Sequence, residues 1–282
     1  MPDAHPHQEE PPFDITWALA AVLAIVGLGI AVTPSLRPKP PTAREIRRAL
    51  LAELQPVTLE NCTLERIGSV YDGGYLMCGN LLGNVQSAYS YGIGTDDNWG
   101  CQISTRLRVP VHEYDCFSPN QFACPGGQAV FHNECIGSKT ETIETRLFDT
   151  LGNQIAKNGD AGKPLVMKID VEGAEVPSLM AAPPSVLNRI DQLTMEIHGT
   201  DERYLALVRK LKRTFHIIHL HFNNQACGER WYPLPAWAYQ VSFVNKRIAE
   251  VDPAAPKPVL PRPLDNPDFS VGHDCQTTGP IE

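Results

Sequence analysis

Residues Leu165 to Glu175, LVMKIDVEGAE, join a short apolar run to a cluster of acid and glycine. Branched apolar residues of this kind read as a strand buried on both faces, which leaves Asp170 at its carboxyl end. Open α/β sheets hold ligands and catalysts at that edge. Further along, MEIHG (Met195 to Gly199) ends another apolar run with Glu196 and His198. Asp170, Glu172, Glu196 and His198 are therefore expected together at the ends of neighbouring strands. With an ordinary pKa of about 6.5, His198 is the expected proton acceptor. Glu172 and Glu175 serve equally well as favourable acids at the start of the next helix.

A glycine turn supplies a second chemical feature. AYSYGIGTDDNWG ends a strand in Gly92-x-Gly94, and glycines there let a ligand approach the backbone while helix amides stay free to donate. Asn98 and Trp99 stand where a dinucleotide fingerprint would continue, so a pyrophosphate clamp is not indicated. The next strand closes in Glu113-Tyr114-Asp115, about twenty residues on, the spacing at which an acid reaches ribose hydroxyls. Asp115, at the strand end, is the better placed of the two acids.

His219 and His221 form an H-x-H on a later strand and so share a face. With Asp170 and His198, His221 would complete a divalent metal site of mixed nitrogen and carboxylate ligands. Histidines on a buried strand are also commonly satisfied by loop hydrogen bonds. Cys116, Cys124 and Cys135 are too dispersed for a zinc ribbon.

The elements that must carry these residues alternate. Strands are expected at 88–91, 109–114, 129–133, 165–169, 192–197, 216–221 and 239–244, with helices at 99–107, 143–157 and 202–214. Strand then helix, repeated, predicts an α/β, Rossmann-like, doubly wound and mostly parallel sheet. The last two strands are expected to pair antiparallel, giving an antiparallel edge strand.

At the ends the chain changes character. Residues 1–14 form a polar tail. Residues 15–33 carry no charge and are almost wholly apolar, long enough as a helix, roughly 28 Å, to span the hydrocarbon layer once. A Pro-rich spacer and an amphipathic helix at 43–54 occupy 34–58. The main domain covers 59–247. Residues 248–282, rich in proline and poor in large apolar side chains, are expected to lie outside the core as a disordered tail.

The net charge of -8 leaves no basic face for phosphates and excludes nucleic acid as a partner. Sidedness is disputed by two signals. Acids precede the apolar segment and Arg37, Lys39, Arg44, Arg47 and Arg48 follow it, which places the domain in the cytoplasm. Eight cysteines and the sequon Asn61-Cys62-Thr63 suit an oxidising, glycosylating compartment, and a lumenal domain in Golgi or ER is the reading adopted.

Taken together, YDGGYLM (Tyr71 to Met77), YGIG (Tyr91 to Gly94), Asp115, KIDVEGAE (Lys168 to Glu175) and MEIHG resemble the FkbM-type, methyltransferase-like domains that use S-adenosylmethionine. KIDVEGAE in order with the others is the most specific part. The resemblance implies a class I methyltransferase fold, a seven-stranded sheet with an antiparallel last strand that binds the cofactor over its first two strands. It further implies that Gly92 and Gly94 form the cofactor loop, that Asp115 holds the ribose, and that Asp170 stands beside the reacting methyl group. The acid usual before the glycine turn is replaced by Tyr89, Ser90 and Tyr91, which leaves Asp96 or Asp72 to meet the methionine ammonium. The implied acceptor is a hydroxyl of a sugar or another small polar molecule.

Two other classes share parts of this build. Golgi glycosyltransferases have a short tail, one membrane helix, a stem and a lumenal domain, but commonly carry an Asp-x-Asp motif that is lacking here. A binding module that kept the fold without the chemistry would explain the altered residues before the glycine turn.

Overall fold

A computed structural model describes residues 39–118 and 122–275. The apolar segment 15–33 lies outside the described residues, and among those described no helix is long and apolar enough to cross a membrane. From residue 41 onward the chain forms one unit.

The elements follow in the order α1 (Ala43–Glu53), β1 (Leu64–Gly68), β2 (Gly74–Cys78), β3 (Ser87–Tyr91), α2 (Asn98–Leu107), β4 (Pro110–Tyr114), β5 (Gln128–His132), β6 (Cys135–Ile136), β7 (Glu141–Ile143), β8 (Arg146–Asp149), α3 (Leu151–Lys157), β9 (Leu165–Ile169), α4 (Glu175–Ala181), α5 (Pro184–Leu187), β10 (Ile190–His198), α6 (Glu202–Leu211), β11 (Phe215–Phe222) and β12 (Ala238–Asn245). Seven strands form one sheet in the order β11-β12-β10-β9-β3-β4-β5. Strand β12 runs antiparallel to both β10 and β11, and the other pairings are parallel. The antiparallel strand therefore lies one place in from the edge, not at it as the sequence suggested. All eight residues of β12 are buried, and a strand covered on both faces and flanked on both sides gains more from burial than an edge strand does.

Strands β3, β9 and β10 sit at the centre and are covered on both faces: every residue of Leu165–Ile169 is buried, as is nearly all of Ile190–His198. Their carboxyl ends lie at the switch between outward-running halves of the sheet, where a crevice must open. Helix α6 starts at Asp201, whose side chain accepts from Arg203 N, and buries Leu205, Leu207, Val208 and Leu211. Helix α1 begins in a capping box, Thr42 accepting from Glu45 N while Glu45 accepts from Thr42 N, and Glu53 ties it to Arg209 of α6 and to Lys212 at that helix's C-cap.

Three regions differ from the sequence expectation. Strands β1 and β2 make an antiparallel hairpin in register Leu64↔Cys78, which turns through Gly68 (φ 101°) and Gly73 (φ 76°). Of the expected helix at 143–157 only Leu151–Lys157 is helical, while β6, β7 and β8 form a small second sheet. β-branched Thr142, Ile143 and Thr145 favour strand there, and Glu144 at φ 57° turns the chain.

The third difference is the Pro-rich segment after 248, which is not separate from the core. Val251 bridges to Leu59, Asp265 pairs with His219 at 2.9 Å, and Gln240 Nε2 donates to Asp268 Oδ1 at 2.7 Å. Composition missed this because acids, histidines and a disulfide, rather than apolar area, hold the segment. All eight cysteines are paired, as Cys62–Cys78, Cys101–Cys124, Cys116–Cys135 and Cys227–Cys275.

Candidate active site at the carboxyl edge of the sheet

The two glycines of the first turn have different tasks. Gly92 sits at φ 74°, and a Cβ there would stand 1.6 Å from the carbonyl oxygen of Asp170, so this glycine serves the close approach of two strand ends. Gly94, at φ 57°, has nothing within 4 Å of a Cβ position. Its amide donates to Asp115 Oδ2 at 2.9 Å, while Asp115 Oδ1 accepts from Phe117 N and Ser118 N at 2.8 Å each. Asp115 thus pins the glycine turn to the end of β4. A carboxylate has about four acceptor positions, so it keeps capacity for a ligand.

Around this pair opens a cleft of about 470 Å³, walled by Tyr91, Gly92, Asp115, Phe117, Ile136 and Asp170 among others. The Cys116–Cys135 disulfide joins its two sides, and Arg146 lies over the Phe117 ring at 4.4 Å. Asp96 is exposed and accepts from Asn98 Nδ2 at 3.2 Å; it does not line this cleft. Its neighbour Asp97 is buried and caps α2 by accepting from Gly100 N at 3.0 Å.

Below the turn lies a polar row that sequence reasoning passed over. Glu113 pairs across to Ser90, which pairs to Lys168, and Lys168 Nζ donates to Gly92 O at 2.8 Å. Glu113 is fully buried with neither carboxylate oxygen hydrogen-bonded. Burial first, and the nearby Asp97 second, push its carboxyl up from 4.5 to about 8. A group that stays protonated in the fold but ionises when unfolded contributes stability below the unfolded pKa, and that contribution is lost as pH rises toward the folded one. Glu113→Gln is therefore expected to match the parent below pH 4.5 and to exceed it increasingly up to pH 8, by up to about 4 kcal/mol. Denaturant unfolding at both pH values checks this; a gap independent of pH contradicts it.

The ends of β9 and β10 bring Asp170, Glu196 and His198 together, their ligand atoms all within 4.8 Å of one another. His198 Nε2 lies 3.7 Å from Asp170 Oδ1, 3.9 Å from Glu196 Oε2 and 3.8 Å from Glu172 Oε2. Glu175 is fully buried, accepts from His198 N and Gly173 N, and faces His198 Nδ1 at 3.7 Å. The chain turns between these residues through Glu172 at φ 51°, a strained conformation for a side-chain-bearing residue and one that recurs at functional sites. Burial disfavours charge on His198, but Glu175, Glu196 and Asp170 outweigh it and lift the imidazole to about 9. Burial, then Asp170, lifts Glu196 to about 7. These carboxylates thus make the His198 ring a stronger base than the imidazole of ordinary pKa that the sequence suggested.

His221 does not join this group. Its Nε2 meets Asp274 at 3.1 Å and its Nδ1 faces Asp268 at 3.7 Å, so the expected metal set of Asp170, His198 and His221 is replaced by Asp170, Glu196 and His198. Its acids come from the segment read as a tail, and nothing in strand spacing could announce them. The hairpin adds Tyr75, buried with an unpartnered hydroxyl, and Asp72, whose carboxyl is pushed up by burial and then by Asp170. Their motif, YDGGY, was visible in the sequence, but its position beside Asp170 was not.

No family model matches this chain, and no curated protein matches it.

Proposed function

We propose that this chain is an S-adenosylmethionine-dependent methyltransferase of the class I type, acting on a hydroxyl of a sugar or another small polar acceptor. The observation that carries the reading is the sheet, whose seven strands, with the last one antiparallel and inserted beside the fifth, open a cleft over the first two. This is the arrangement implied by the FkbM-type resemblance of KIDVEGAE and its companion motifs.

The residues fit the cofactor. About 470 Å³ is within the range of small-ligand sites, the space beside Gly94 is open, and Asp115 retains acceptor capacity toward ribose hydroxyls. When bound, S-adenosylmethionine supplies a methyl group on a sulfonium, which passes to the acceptor oxygen as sulfur keeps the C–S electron pair and the hydroxyl proton leaves. Such an in-line displacement asks the protein mainly for alignment and for a place to put that proton. Gly92 and Asp115 set the cleft, Asp170 borders it, and Glu196 and His198 stand beside Asp170 to receive the acceptor and its proton.

Asp115→Ala removes the acceptor for one ribose hydroxyl as well as three internal amide bonds. At about 1.5 to 3 kcal/mol per charged hydrogen bond, S-adenosylmethionine affinity is expected to fall on the order of 10- to 100-fold, with Asp115→Asn falling less. Unchanged affinity in both folded variants refutes the assignment.

A nucleotide-sugar reading finds less support. The groups around Asp170 and the adjacent His198 include the carboxylates of Asp72, Glu172 and Glu196, with Lys168 already bonded to Gly92 O, a poor setting for a diphosphate.

For placement, the reading is a single-pass anchor at 15–33 with the domain in the lumen. Four disulfides support an oxidising compartment. Asn61 gives less support as a glycan site, because its amide donates to Ile248 O and accepts from Glu250 N. Retention of the full-length chain in membranes after alkaline carbonate washing is expected; its release into the soluble fraction refutes the anchor.

A further inference from the structure

We propose that Asp170, Glu196 and His198 hold a divalent cation, which presents an acceptor bearing two neighbouring oxygens, a vicinal diol or a hydroxyl beside a carbonyl. The cation site stands on its own geometry; the acceptor class rests on the methyltransferase reading.

Four observations converge. First, the three donor atoms come from the ends of adjacent strands and lie within 4.8 Å of one another. Nitrogen-to-oxygen distances of 3.7 and 3.9 Å are too long for hydrogen bonds, yet suit atoms that share an ion at about 2.0 to 2.2 Å each. Second, the set is mixed, two carboxylates and one imidazole, the chemistry of a first-row divalent ion.

Third, the histidine is turned for the task. Its Nδ1 faces the fully buried Glu175 at 3.7 Å, which leaves Nε2 toward Asp170 and Glu196. Histidines that bind metals through one nitrogen commonly give the other to a carboxylate, which fixes the ring. Glu175 is itself held by the amides of Gly173 and His198, so a fixed carboxylate stands next to a buried ring nitrogen that has no hydrogen-bond partner of its own. Fourth, the hydroxyl of Tyr75, a residue 1% exposed, has no hydrogen-bond partner, and Asp170 and Glu196 are the strongest charges acting on it. A buried polar atom without a partner beside such a cluster needs a ligand or an ion-bound water to satisfy it.

The cation would offset negative charge that Lys168, 3.9 Å from Asp170 Oδ2, balances only in part, and would polarise an acceptor hydroxyl. An ion held by three protein atoms would keep further coordination positions, which an acceptor offering two oxygens would fill. Anionic acceptors would meet Asp72 and Glu172 as well, so a neutral, hydroxyl-rich acceptor fits better.

The test uses Mn²⁺ alone as the probe, with binding to the full-length protein followed by the loss of its free-ion electron paramagnetic resonance signal. One Mn²⁺ per chain is expected. Glu196→Gln and Asp170→Asn should weaken it at least about 10-fold, Glu175→Gln by a smaller factor because all three ligands remain, and His221→Gln not at all. Absence of Mn²⁺ binding at millimolar concentration overturns the site, and so does equal binding in parent, Glu196→Gln and Asp170→Asn. S-adenosylmethionine affinity measured on the same samples separates the two readings: Mn²⁺ binding without cofactor binding upholds the cation site and removes the methyltransferase reading, whereas cofactor binding without Mn²⁺ does the reverse.

Discussion

Replacing His198 with alanine is expected to lower methyl-transfer turnover about 10²- to 10⁴-fold, the cost of losing a group that handles the acceptor's proton or orients the acceptor. Cofactor affinity should survive, because His198 does not border the cleft over β3 and β4 whereas Asp170 does. Asp170→Asn should therefore reduce both turnover and cofactor affinity. The contrast separates a catalytic loss from misfolding, which would move both quantities in both variants. His198→Gln, which keeps most of the side-chain volume against Trp237 at a ring separation of 6.2 Å in the parent, serves as the packing control and should be equally slow. Full activity in His198→Ala and Asp170→Asn would place the chemistry elsewhere on the domain.

The second large effect is on stability, and it contrasts two glycines that look alike in sequence. Gly92→Ala places a methyl group 1.6 Å from the carbonyl oxygen of Asp170, at φ 74°. The obstacle is backbone, so no rotamer relieves it; the ends of β3 and β9 must separate. With overpacking at about 1 to 3 kcal/mol and a left-handed non-glycine residue at about 1 to 3, a loss on the order of 4 kcal/mol is expected. For a domain of this size that lowers the thermal midpoint by roughly 10 °C. Gly94→Ala shares the positive φ but meets nothing within 4 Å, so it should cost only about 1 kcal/mol. Equal losses at the two positions would contradict the assigned close approach.

Much of the sheet was legible because its strands are buried on both faces. Leu165–Ile169 was read to the residue, and the remaining six main-sheet strands were placed within two residues at each end, since runs of branched residues bounded by glycine and acid leave little choice. The same logic placed Asp170, Glu196 and His198 at one edge. What stayed hidden depended on partners distant in sequence. The hairpin that carries Tyr75 reads locally as a glycine-rich loop, and its pairing Ile67↔Tyr75 is a tertiary outcome. His221 lies level with Glu196 across Gln240 of the intervening β12, yet Asp268 and Asp274 take it, from a segment whose prolines argued for disorder. Residues 143–157 misled for a different reason: an apolar residue every three or four positions fits a helix, but β-branched residues and the turn at Glu144 let β7 and β8 pair instead. Glu113 was set aside for Asp115 because position along a strand says nothing about which face is sealed.

Isothermal titration calorimetry of the full-length protein with S-adenosylmethionine, and separately with a nucleotide sugar, tests the central claim most directly. The account predicts saturable binding of S-adenosylmethionine at one site per chain, weakened in Asp115→Ala, and no heat from the nucleotide sugar. Binding of the nucleotide sugar alone would favour glycosyl transfer, and binding of neither would leave a fold that has lost its chemistry; either result contradicts the account.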